Sequence, residues 1–69
     1  MRTIATIEGF DLQAGLVSYE VRLHERTAST PPMISLHRAG HQPVYFTPRT
    51  TRQLGEALLH AAQQAGGVA

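Results

Sequence analysis

Val17, Tyr19, Val21 and Leu23 alternate with Ser18, Glu20, Arg22 and His24. This is the clearest pattern in the chain, and its period of two predicts a half-buried antiparallel strand within residues 16–26. Residues 2–8 (RTIATIE) are rich in Ile and Thr and also read as a strand. Their alternation is imperfect, because Ile4 and Ile7 fall on opposite faces. A strand of that kind is expected to be central or covered on both faces. Between the two strands, Gly9–Gly15 reads as a turn, with Phe10 and Leu12 as half-buried anchors. Residues 33–37 and 42–46 give two shorter strands. A three-residue loop, Arg38-Ala39-Gly40, would join them with glycine at its bulge position. That register sets Ile34 opposite Val44, Leu36 near Gln42 and His37 opposite His41. Pro43 marks the last strand as an edge, since proline cannot donate to a ladder.

The period changes after Phe46. Leu54, Ala57, Leu58, Ala61 and Ala65 recur at i, i+3, i+4, i+7 and i+11, one face of a helix expected over 48–65. Thr47-Pro48 is a start signal: the hydroxyl caps a free N–H, and proline is tolerated where no helical bond is lost. Gly66-Gly67 is a stop signal. Gly55, Leu59 and Ala62 lie beside the main stripe and widen the apolar arc. One sheet face covers one stripe, so this second edge is a candidate self-association surface. The fold class that follows is α+β: an antiparallel sheet of three to four strands with one C-terminal helix packed on one face. Its expected core is Ile7, Val17, Tyr19, Val21, Leu23, Ile34, Leu36, Val44, Phe46, Leu54, Leu58 and Ala61.

Sixty-nine residues make a single small domain, 1–69, which buries little core by itself and favours association, most simply as a homodimer. There is no cysteine, which removes disulfides, thiolate chemistry and cysteine-based zinc sites. No long apolar run opens the chain, so neither a signal peptide nor a membrane partner is expected, and the cytoplasm is the expected location. The formal net charge is only +1, and all six basic residues are arginine. Such a balance gives no global pull toward nucleic acid.

Candidate chemistry gathers on the outward sheet face. Arg22, His24, Arg26, His37, His41 and Tyr45 are expected to share it. Arginine and tyrosine suit a protein interface, and an arginine-rich sheet face can also read nucleic acid. Glu20 and the small net charge favour the protein interface. The histidines match no four-ligand zinc spacing, so no metal or other cofactor is expected. Glu56 and His60 form an i, i+4 pair on the exposed helix face, and no serine stands in a glycine elbow. A non-catalytic role follows. Arg49 and Arg52 stand in the first helical turns, where the dipole prefers acids.

The segment VYFTPRTTRQLGEALLHAAQQA carries Thr47, Pro48, Leu54, Leu58, Leu59, Ala61, Ala62 and Ala65 in the order strand, Thr-Pro, LxxxLLxAAxxA. It resembles the C-terminal ends of small uncharacterised proteins of GC-rich actinobacteria and their phages. The resemblance covers about a third of the chain and implies an accessory cytoplasmic protein of a bacterium or phage. It brings no catalytic or binding residues with it. The expected function is therefore protein–protein binding with self-association, the partner protein unidentified, and nucleic-acid binding as the alternative.

Overall fold

The computed structural model describes residues 1–66. Four strands form one antiparallel sheet in chain order: β1 (Arg2–Asp11), β2 (Gly15–His24), β3 (Met33–Arg38) and β4 (Val44–Phe46). A single helix follows, α1 (Pro48–Gln64), and packs against β3 and β4 on one face. The α+β class with one C-terminal helix is thus the observed architecture.

The first hairpin is longer than the sequence pattern suggested. β1 continues through Phe10 to Asp11, and the loop shrinks to Leu12–Ala14. Asp11 Oδ1 accepts hydrogen bonds from the backbone N–H groups of Gln13 (2.8 Å) and Ala14 (2.9 Å), which holds the reversal. Gly15 closes it at φ 81°, a conformation side chains resist. Phe10 and Leu12 are not anchors: both are exposed, Leu12 at 95%. A register shift between Thr3 and Ala5 makes Ile4 an extra residue. This bulge explains why Ile4 and Ile7 break the alternation. β1 is also an edge strand, not a central one.

The second correction concerns β4. Ser35 pairs with Tyr45, Leu36 with Val44 and Ile34 with Phe46. The expected register is therefore displaced by two residues. The chain turns through Ala39 and Gly40 (φ 80°), with His41 N–H donating to Arg38 C=O, and β4 begins only after Pro43. His37 does not oppose His41. A slip of two leaves every side chain on its expected face.

The start of α1 follows its sequence signal closely. Thr47 caps the helix, accepting from the Thr50 N–H at 3.2 Å, and Pro48 opens it. Gly66 follows the end at φ 98°; Gly67 lies outside the described residues.

Antiparallel pairing sorts the sheet into two faces. Ile7, Val17, Tyr19, Val21, Leu23, Ile34, Leu36, Val44 and Phe46 share the apolar face; Thr6, Ser18, Glu20, Arg22, His24, Ser35, His37 and Tyr45 share the other. The expected core residues take their expected side but are not enclosed. No apolar side chain among the described residues is buried; Ile7 remains 55% exposed and Leu58 62%. The reason is width. Strands stand about 4.8 Å apart and a helix is about 10 Å across, so one helix covers about two of four strands. α1 approaches only β3 and β4, which leaves the β1–β2 half of the apolar face open.

The molecule is accordingly flat, 43 × 27 × 15 Å, with a radius of gyration of 13.8 Å against about 11 Å for a compact chain of this length. Its accessible surface is 5733 Å². A compact monomer of 7.5 kDa would show about 4,200 Å², an excess here of roughly 1,500 Å².

Candidate functional site

The centre of the polar face is Ser35, a residue that no sequence motif singled out. It is the one fully enclosed side chain among the described residues, at 0% exposure. Its position follows from pairing: β3 is an inner strand, and Ser35 stands between Arg22 on β2 and Tyr45 on β4. Ser35 Oγ lies 2.6 Å from His24 Nε2 and 2.6 Å from His37 Nε2. A hydroxyl has one proton. It donates to one imidazole and accepts from the other, so the two histidines play opposite roles at Nε2. The His24 ring also packs against Tyr45, with centroids 5.6 Å apart.

On β2, Arg22 Nη2 donates to Glu20 Oε1 at 2.7 Å, and Thr3 Oγ1 donates to Glu20 Oε2. The hydrogen bond from Arg22, and then that from Thr3, draw the Glu20 carboxyl down to about 2. The same Arg22–Glu20 bond raises the Arg22 guanidinium above its usual range. Arg38 Nη2 donates to Asp11 Oδ2 at 3.1 Å, and its guanidinium lies 5.9 Å from the Tyr19 ring centroid. The Asp11 carboxyl is lowered first by the N–H of Ala14, then by that of Gln13, with Arg38 adding to both.

Four of the six expected face residues come together: Arg22, His24, His37 and Tyr45. His41 stands at the rim, in a shallow depression shared with His37, Glu20, Arg22, Ser18 and Thr6. Arg26 does not belong to the face, because β2 ends at His24 and Arg26 lies in the exposed loop that follows. Among the described residues, no three His, Asp or Glu side chains gather as they would around a metal ion. The parity of β3 could have found Ser35, since it shares the outward phase of His37; its enclosure depends on pairing with β2 and β4.

On the opposite side, the expected self-association edge is open. Leu59 is 61% exposed, Ala62 is exposed, and a Cβ at Gly55 would meet nothing within 4 Å. An apolar cleft runs between α1 and the sheet, lined by Ile7, Val21, Leu36, Leu54, Gly55 and Leu58.

No family model matches the chain, and comparisons with curated proteins and with solved structures give no significant match. No helix among the described residues is long and apolar enough to cross a membrane.

Proposed function

We propose that this chain is a non-catalytic accessory protein of a bacterium or phage, working in the cytoplasm through self-association and the binding of another protein. The observation that supports this reading is the unfinished core: apolar residues segregate to one face, yet among the described residues none is buried in the single chain. Burial of apolar surface is the main driving force of folding and association, and a small flat chain finds most of its share in a partner. The open edge at Gly55, Leu59 and Ala62 continues that surface onto the helix. Catalysis is disfavoured by the enclosure of the Ser35 hydroxyl beneath two imidazoles.

Nucleic-acid binding through Arg22, His24, His37 and Tyr45 is the weaker reading. Arg22 already pairs with Glu20, so little free positive charge stands on that face. Sedimentation equilibrium across the micromolar range tests the proposal. A dimer or larger assembly is expected; a monomer throughout would overturn it. Salt-dependent binding to DNA or RNA that disappears in Arg22→Ala would favour the alternative.

A further inference from the structure

We infer that the β1–β2 half of the apolar face is closed by the same half of a second copy, sheet face against sheet face about a two-fold axis. This rests on the self-association proposed above and names its surface. The open half presents Ala5, Ile7, Gly9, Val17, Tyr19 and Val21 at its centre, with the Arg38–Asp11 ion pair at one end of the same face and Arg2 at the other. Arg38 and Asp11 are paired with each other, so the apolar centre meets its own copy without like-charge repulsion.

Its dimensions suit the same occupant. Two sheet faces pack about 10 Å apart, which is also about the thickness of a helix layer. The β1–β2 ribbon of a second copy therefore fills the vacant layer at the height of α1. Its edge then enters the cleft between α1 and the sheet, beside Leu58 and Gly55. The excess surface of roughly 1,500 Å² exceeds the about 800 Å² that each partner contributes to a standard interface. In this arrangement Gly9 has a purpose: it lies against the Tyr19 ring, where a Cβ would come within 3.0 Å, and its absence keeps that half flat.

The absence of cysteine makes the surface directly mappable. Single cysteines at Ile7, Val17, Tyr19 and Val21 probe the apolar half; Thr6 and Glu8 probe the polar side of the same strand, and Leu59 and Ala62 the helix edge. Under mild oxidation, at least one of the first four is expected to give a covalent dimer in high yield, with the other four near background. Val17→Glu, a change at a half-exposed site, is expected to weaken the dimer at least about 100-fold by placing two carboxylates in the contact, with circular dichroism checking that the chain stays folded. A dimer that cross-links only at Leu59 or Ala62 would overturn this inference and leave self-association standing. Cross-linking at Thr6 or Glu8 would overturn it in favour of pairing between β1 edges. A monomer, with circular dichroism reporting a folded chain, would overturn both. A stable complex with a different protein that protects Val17→Cys from alkylation, while the free chain stays monomeric, would also overturn it.

Discussion

Ser35 Oγ and His24 Nε2 lie 2.6 Å apart across the β2–β3 pair, with His37 Nε2 at the same distance on the other side of the hydroxyl. Two histidines are thus held by one small side chain. Ser35→Ala removes both bonds at once and is expected to destabilise the fold by about 1–2 kcal/mol, read from the urea midpoint. Imidazole nitrogen chemical shifts should change for both His24 and His37. Unchanged shifts would mean that the bonds are not held in solution.

Glu20 sets an acid limit. Its folded carboxyl titrates at about 2, against an ordinary 4.5. The unfolded chain takes up that proton more readily, so the contribution is complete above about pH 5 and is lost as pH falls toward 2. Asp11 is lowered as well and acts in the same direction. Glu20→Gln should therefore lose less stability than the parent between about pH 6 and pH 3. Equal losses in the two proteins would remove Glu20 from the acid response.

The first turn of α1 contains no acidic residue, and Arg49 stands there exposed. Arg49→Glu replaces an unfavourable charge at the positive end of the helix with a favourable one. A gain of about 0.5 kcal/mol is expected, or a rise in Tm of about 3 °C, diminishing with added salt. A fall in Tm would indicate that Arg49 is engaged elsewhere.

Gly15 separates backbone strain from crowding. Nothing lies within 4 Å of a Cβ placed there, yet φ is 81°. Gly15→Ala should cost about 1 kcal/mol, and Gly15→Asn less, because asparagine enters the left-handed region more readily. Equal costs would point to a cause other than the backbone.

Much of this architecture was legible in the residues. The alternation from Val17 to His24 located β2 and sorted its faces, and Thr47-Pro48 marked the helix start. The elements were recognised because each depends on its own local period. What escaped depends on distant partners. The β3–β4 register was misread because glycine at position 40 suggested a loop of three residues, whereas Pro43 delays pairing until Val44. Arg26 was misplaced because alternation does not reveal where a strand runs out of partners. Ser35 carries no local signal because its enclosure comes from pairing with β2 and β4, which the pattern of β3 alone does not reveal. The open core was foreshadowed by chain length, but its location on β1 and β2 depended on where α1 came to rest.

The two borders of the sheet are unequal. β1 offers a border of ten residues, whereas β4 offers three, preceded by Pro43. Head-to-tail stacking, in which the first strand of one molecule docks on the last strand of the next, would need a long ladder at both borders. The short one cannot supply it. The short border of β4, preceded by Pro43, disfavours unlimited growth by strand addition along the sheet.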